Sequence, residues 1–517
     1  MAVPTVGEHH ERDAWVAGGL SVVALMAIWL IAVVAHGTPL AFMRPADDAY
    51  YYFDLVRSIW GGDGFTTDGV HSTNGFHPLW FLVLLPAGAV LRGTGDGLVV
   101  LAQIMSVVLL GISVAGVTTA CRMSGCGRVT AVVGGLALWF PPWRGIASAG
   151  VEGALALALL SWTVVAALRA TMGSRTTRHL VLFGVLAGLS VLARLDSVFV
   201  AGFLLLAILV TAERRDRLRS AALLIAPPVL LVGAYLLANL FATGSPFPIT
   251  ASLKSSFPEW HLRPDFVVEF APFYLALAPA WLGAALSRRK SHFSVVLALA
   301  VGSTAFATYL GLFGRGVFWW HFVSVVPAGA IGIGIVLEEL GGRYLVAGRR
   351  LRQALIAAAA LAAVLPAALS LFERSPDGEF VARTGWRVES ARAGRWAATN
   401  LPSDVMLAMK DSGAFGFYTP QPMMNLDGVF SNRSFQEEMC AGRAGAEMRT
   451  AGVQYLAYHA VPSDYESYTV ELPCWSEGTH PSRLTMSKDD EVYRGDTYWH
   501  NRPSRFVIWR FAEDSDW

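Results

Sequence analysis

Long apolar runs separated by short polar turns fill the first two thirds of this chain, beginning at Ala14, Leu98, Thr130, Val151, Leu180, Val198, Ala221, Phe266, Phe293, Val317 and Ala354. Each is long enough, or nearly so, to cross hydrocarbon as a helix of about 17 to 25 residues, which predicts about eleven spans. The run from Ala14 to Ala35 has the loose outline of a signal peptide, but its length and the spans behind it favour a membrane helix. Pro78 to Leu91 is apolar yet short, and is read as an interfacial helix. The pattern changes after the last run. A helical period through Trp396 stops at Pro402, and "VMLAM", "PMMNLDG", "VQYLAYH" and "RFVIWRF" predict short strands. The expected architecture is a polytopic α-helical membrane protein over 1–372, with its first large loop at 37–97, followed by a water-soluble α/β domain over 373–517.

Composition agrees with that class. Hydrophobic residues make up 54% of the 517 and charged residues 15%, more apolar material than one soluble core needs. A net charge of +1, without a basic segment interleaved with aromatics, gives no footprint for nucleic acid. Lys and Arg concentrate on one set of loops, as in Arg214, Arg215, Arg217 and Arg219, or Arg288, Arg289 and Lys290. Basic residues are retained in the cytoplasm, so that side is inside, the N-terminus is cytoplasmic and the C-terminal domain is extracytoplasmic. The unusual polar stretches then share the outer face: the Asp47 loop, "GVEGAL" with Glu152, "LARLDS" with Arg194 and Asp196, the loop to Lys254, and "GRGVFWWHF" with Arg315, Trp320 and His321. Ionisable groups near lipid are costly unless they line a cavity or pair, so their convergence predicts one site.

"MRPADDAYYYFDLVRSIWGGDGF" carries the sharpest chemistry. A helix from Asp47 to Trp60, stopped at Gly61-Gly62, places Ala49, Tyr52 or Phe53, Val56 and Ile59 or Trp60 on one stripe, with Asp47, Tyr51, Asp54 and Ser58 opposite. This predicts an amphipathic helix lying on the outer membrane surface. Asp47 can be an N-cap, or a general base that takes a proton from a hydroxyl while a cation holds a phosphate leaving group. His71, Asn74, His77 and Trp80 follow in a dense polar and stacking segment suited to a sugar or phosphate, without a specific metal-ligand spacing. An oxidising compartment permits a disulfide between Cys440 and Cys474, whereas Cys121 and Cys126 lack the spacing of a zinc site.

With "DDAYYYFDLVRSIWGGDGF", "TNGFHPLW", "GVEGAL", "LARLD" and the C-terminal "WAATNLPSDVMLAMKDSGAFGFYTPQPMMNLDGV" in place, the chain resembles the GT-C superfamily of polytopic glycosyltransferases. It is most similar to bacterial members of the kind that includes actinobacterial arabinofuranosyltransferases, and more remotely to protein O-mannosyltransferases and aminoarabinose transferases. The resemblance implies a bacterial plasma-membrane enzyme that moves a sugar, arabinofuranose or a hexose such as mannose, from a polyprenyl-phosphate donor to a glycan, lipid or protein acceptor, with inversion. It implies Asp47 as base, Asp48 as its orienting partner or an acceptor ligand, and Glu152 on substrate hydroxyls. Lys254, Arg194, Arg315 and His321 are implied for the donor phosphate. Tyr51, His71, Asn74, His77, Asp196 and Trp320 complete the candidate substrate set, and Asp411, Asn425 and Asp427 are candidates for the acceptor. No further carboxylates are spaced as in metal-dependent oligosaccharyltransferases, so no essential divalent ion or other cofactor is expected.

Plainer readings stand beside these. Arg194 and Asp196 form a helix-end pair as readily as a catalytic one, Arg315 suits a snorkelling position, and Trp320-His321 suits an aromatic belt. An Asx turn accounts for Asn425 and Asp427. A transporter or lipid flippase would also carry charges at membrane depth, but its inverted repeats and midplane ionisable residues are not evident here. A non-catalytic envelope-assembly subunit is the other alternative, and the intact acidic pair argues against it.

Overall fold

A computed structural model describes residues 6–36, 45–91, 95–172, 175–344, 385–460, 467–472, 474, 482–499 and 502–511. Four of its helices are long and apolar enough to cross a membrane by length and composition: Gly95–Met123, Gly153–Met172, Arg214–Thr243 and Phe293–Phe313. A helix satisfies its backbone groups within one segment, which is what an apolar surrounding demands. Several hydroxyls within these helices are met locally too, with Ser106, Thr119 and Ser161 each donating to the carbonyl four residues back. The N-terminal helix Val6–His36 lies along Gly95–Met123, which packs on Gly153–Met172, and Thr177–Ala193 bridges from there to Arg217–Thr243. Phe183, Phe306, Phe322 and Trp139 are buried at the centre of this bundle.

Several predicted spans depart from single long helices. The run from Phe266 is broken into Pro264–Glu269, Ala271–Tyr274 and Leu277–Leu286, with Pro272 at the start of the second and Pro279 in the first turn of the third, where a proline's missing N–H does least harm. The run from Thr130 is the nine-residue helix Arg128–Leu136 followed by a 3₁₀ turn. The run from Val317 opens as a 3₁₀ turn, Trp319–Ser324, before the helix Val326–Tyr344. The run from Ala354 and the expected boundary near residue 372 lie outside the described residues.

The C-terminal domain begins with the helix Gly385–Asn400. Its strands are β1 (Met406–Met409), β2 (Met423–Asn425), β3 (Val453–Ala460), β4 (Ser467–Leu472), β5 (Ser482–Ser487), β6 (Glu491–Trp499) and β7 (Arg502–Arg510). The main sheet runs β2-β1-β3-β7-β6, parallel through β3 and antiparallel beyond it, while β4 and β5 form a separate hairpin. Period-two alternation sends Leu407, Met409, Phe506 and Ile508 to one face, under Ala393 and Ala397 of the first helix. Ala408, Val507 and Trp509 go to the other, against Phe435, Met439 and Met448. The strands β4, β5 and β6 are not among those the sequence predicts, because Ser, Thr and, in β6, three charged residues dilute their alternation. Cys440 and Cys474 form a disulfide.

The acidic-pair helix, Asp47–Gly61, ends with Gly62 in the left-handed region at φ 97°, where the sequence places its stop. It does not lie half exposed on a surface as its stripe predicts. Every residue from Ala49 to Val56 is buried, because the helix is packed on two sides. On one, Trp60 Nε1 donates to the Leu85 carbonyl at 2.8 Å, holding the helix Pro78–Val90. On the other stands the C-terminal domain, with Phe417 5.6 Å from Tyr50 and 5.8 Å from Phe53, and Phe430 4.6 Å from Tyr51.

The loop after this helix closes the same junction. A Cβ at Gly75 would stand 2.0 Å from the Val429 carbonyl oxygen, so only glycine allows that approach. Gly75→Ala must therefore part the two segments, and we expect it to lower the melting temperature, by an amount equivalent to about 1–3 kcal/mol. Gly19→Ala, with nothing within 4 Å of the added methyl, serves as the unaffected comparison in the same thermal melt.

Candidate active site at the acidic pair

Asp47 and Asp48 open their helix, and the preceding Ala46 supplies no side-chain cap. Asp47 caps a different helix. Its Oδ2 accepts from the Gly413 N–H and its Oδ1 from the Ala414 N–H, both at 2.9 Å, at the start of Gly413–Tyr418 in the C-terminal domain. Burial pushes the Asp47 carboxyl up to about 8 against the pull of the Ala414 amide, and nearby Asp411 and Asp48 add to the rise. One residue on, and so about 100° around the helix, Asp48 keeps 28% of its side chain exposed and has its Oδ2 3.9 Å from Lys254 Nζ. Burial raises its carboxyl above the ordinary range, Lys254 draws it down and Glu152 pushes it up.

Lys254 follows the short helix Ile249–Leu253. Asn74 Oδ1 accepts from the Ile249 N–H at 3.0 Å, Arg315 N–H donates to the Lys254 carbonyl at 2.9 Å, and Ser255 bridges to Gly314. Asn74 and the backbone of Arg315 thus set where the lysine stands. Its ammonium lies 5.5 Å from the centre of the Phe318 ring.

A second cluster adjoins the first. Glu152 Oε1 lies 2.5 Å from Arg194 Nη1, its Oε2 accepts from the Tyr52 hydroxyl at 3.0 Å, and His77 Nε2 is 3.6 Å away. Arg194 also grips Asp196, at 2.7 Å, and Asp196 reaches Ser324 at 3.4 Å. Burial works against the Glu152 anion, yet His77 and Arg194 outweigh it and hold the carboxyl below its ordinary range. With two carboxylates on one guanidinium, the charge of Arg194 is fully engaged, and the ammonium of Lys254 is paired directly with Asp48. His321 sits nearby with its Nδ1 accepting from the Phe318 N–H at 3.1 Å, which leaves Nε2 to carry any proton. Burial, then the neighbouring Lys254, Arg194 and His77, keep it well below the usual histidine range and neutral. Trp320 stacks on Phe318 at 4.6 Å.

From the C-terminal domain come Asp411 and Asp427. The Asp427 N–H donates to Asn425 Oδ1 at 2.8 Å in an Asx turn, and Lys410 Nζ lies 4.0 Å from Asp411. Burial, then Asp411 and Asp48, raise Asp427 well above the carboxylate range. The buried Tyr51 hydroxyl makes no hydrogen bond among the described residues, and the same acids surround it. His71 is placed elsewhere. It bonds Asp68 at 2.8 Å and lies 4.4 Å from the Phe435 ring, within the domain junction rather than beside Asp48.

Three residues of this arrangement escape a reading of the sequence: Tyr52, Asp68 and Lys410. Tyr52 stands four residues after Asp48, a helical spacing that places it on the same face as the acid rather than on the apolar stripe alone. Asp68 ties the first loop to β2, accepting from the Asn425 N–H at 3.3 Å. Among the described residues no three His, Cys, Asp or Glu side chains gather as ligands for a metal ion.

Residues 380–494 match a family described as a domain of unknown function, DUF8728. No curated protein matches the chain. Among solved structures it is similar to ArnT from Cupriavidus metallidurans bound to undecaprenyl phosphate, with a TM-score of 0.55 and 16% identity over 90% of this chain and 98% of that one. It is also similar to the oligosaccharyltransferase of Archaeoglobus fulgidus, with a TM-score of 0.55 and 13% identity over 84% of this chain and 69% of that one. The likeness is one of fold. This chain shares with them a bundle of apolar helices carrying a strand-containing C-terminal domain.

Removing Arg194 strands the buried Glu152 carboxylate and takes the partner from the part-buried Asp196, whereas removing Lys254 leaves only the more exposed Asp48 without its cation. We expect Arg194→Ala to destabilise the protein by about 3–5 kcal/mol, and Lys254→Ala to stay near the parent melting temperature. Thermal melts of the two variants in the same detergent check the contrast.

Proposed function

We propose that this protein transfers a sugar from a polyprenyl-phosphate carrier to an acceptor hydroxyl at the outer face of a bacterial plasma membrane, with inversion at the anomeric carbon. The observation that carries this reading is the Asp48–Lys254 pair, a carboxylate and an ammonium facing each other at 3.9 Å in a GT-C fold. The similar ArnT structure is bound to undecaprenyl phosphate, which supports a lipid-phosphate donor.

Asp48, rather than Asp47, is the base in this reading. Both Asp47 oxygens already accept backbone hydrogens, while Asp48 is partly open. The donor phosphate replaces Asp48 as the counterion of Lys254. That removes the charge which draws the Asp48 carboxyl down, and so strengthens it as a base when the substrate is in place. Asp48 then takes the proton of the acceptor hydroxyl, the oxygen bonds to the anomeric carbon, and the carbon–oxygen bond to the phosphate breaks. The departing phosphate gains a negative charge beside Lys254, where a fixed cation lowers the barrier. In this reading Glu152 and His77 meet sugar hydroxyls, and Asp411, Asn425 and Asp427 meet the acceptor, which is a glycan, lipid or protein. The sugar is arabinofuranose or a hexose such as mannose.

Purified protein offered a panel of polyprenyl-phosphate sugars should consume one of them. Asp48→Asn should lower kcat by about 10²–10⁴-fold, the range for a lost general base, without a change in melting temperature. Equal turnover by Asp48→Asn would remove Asp48 from the chemistry. The pH profile has a definite sign. The base acts ionised, so kcat/KM falls as pH drops through a pKa above the ordinary carboxylate range. Lys254 draws that pKa down, so Lys254→Ala should move the acid limb of kcat/KM to higher pH while raising the donor KM.

A further inference from the structure

We infer that Asp47 is a positioning residue which makes the C-terminal domain a fixed wall of the catalytic centre, and that Asp48 is correctly aimed only while that wall is attached. The inference rests on the glycosyltransferase reading above and adds a role for the domain matched only to a family of unknown function.

The first turn of the acidic-pair helix is held from two directions. On the bundle side, the Ala46 N–H donates to the Ala149 carbonyl at 2.7 Å, and Trp80 Nε1 donates to the Gly150 carbonyl at 3.2 Å, so the segment leading to Glu152 supports this turn. On the domain side, Asp47 receives the Gly413 and Ala414 amides. A Cβ at Gly413 would stand 2.3 Å from the Asp47 carbonyl oxygen and 2.7 Å from Oδ2, so no larger residue permits the contact unshifted.

The far end of the same short helix is held too. Arg57 Nη1 donates to the Phe417 carbonyl at 2.8 Å. One helix thus offers a carboxyl group to the amide end and a guanidinium to the carbonyl end of the other, so each bonds backbone groups that a helix terminus leaves unpaired. Asp48 is bonded in sequence to Asp47, and its partner Lys254 comes from the bundle. A shift of the first turn away from Gly413 therefore changes the Asp48–Lys254 separation directly. Gly413 and Ala414 reach the first turn through Asp47, so their effect on the Asp48–Lys254 pair passes through that contact.

The test breaks the contact from both sides. Asp47→Asn puts an amide NH₂ against one backbone N–H, Gly413→Ala pushes the carboxylate away, and Ala414→Pro deletes a donor in the first helical turn, where proline is tolerated. Each should lower kcat by about 10²-fold, the scale of a displacement near 1 Å, with the donor KM unchanged. The double variant Asp47→Asn with Gly413→Ala should be no worse than either single one, because both remove the same contact. Hydrogen exchange at the Gly413–Tyr418 amides should quicken in every variant that remains folded.

Loss of transfer in Asp47→Asn alone, with Gly413→Ala and Ala414→Pro at parent kcat, would overturn the inference and place Asp47 on the substrate. Parent kcat in all three would overturn it as well. If the unmodified protein transfers no sugar from any donor, the glycosyltransferase reading fails first. Unchanged exchange at Gly413–Tyr418 would then sink the contact itself.

Discussion

The carboxylate of Asp47 sits where two parts of the protein meet, and much of the remaining arrangement follows from how it is satisfied. A carboxylate withdrawn from water needs donors, and its own helix cannot provide them in the right direction. The backbone amides of Gly413 and Ala414 do, from a segment 366 residues away in sequence. That contact brings Phe417 against Tyr50 and Phe53, seats the Gly413–Tyr418 helix on the acidic-pair helix, and with Gly75 against Val429 closes the junction. The domain is thereby part of the site's framework, which accounts for the burial of Ala49 to Val56 in a helix whose pattern suggested an exposed face.

Charge balance then divides the cations. Arg194 lies between Glu152 and Asp196, and Tyr52 and His77 complete the surroundings of Glu152. A guanidinium so engaged is an organiser: it holds the buried Glu152 and the part-buried Asp196 against the neighbouring bundle. Lys254, 19% exposed and facing a carboxylate at the outer limit of an ion pair, is better placed to exchange that partner for a phosphate. Planar Arg194 grips Asp196 through two nitrogens, whereas Lys254 is a single flexible point charge.

Much of this was legible in the residues. The helix from Asp47 to the Gly61-Gly62 stop, the interfacial-length helix at Pro78, and strands at Met406, Met423, Val453 and Arg502 all follow from local period and turn chemistry, and the structure has them. The nearness of Asp48, Glu152, Arg194 and Lys254 follows from polar stretches gathering at the same ends of apolar runs. Other features were not legible. Proline positions broke the Phe266 run, the strands β4 to β6 were masked by their polar residues, and His71 was drawn to Asp68 by a pairing only three residues long.

The sequence alone therefore determined the class of the molecule, because helix and strand periods and the solvation of apolar runs are properties of neighbouring residues. It also determined that an acidic pair would open a helix close to the membrane-spanning part. Which aspartate faces a cation and which holds a domain was decided only by tertiary structure. A single step along a helix turns a side chain by about 100°, and what waits in each direction, the Gly413 amide or the Lys254 ammonium, comes from segments hundreds of residues later in the chain.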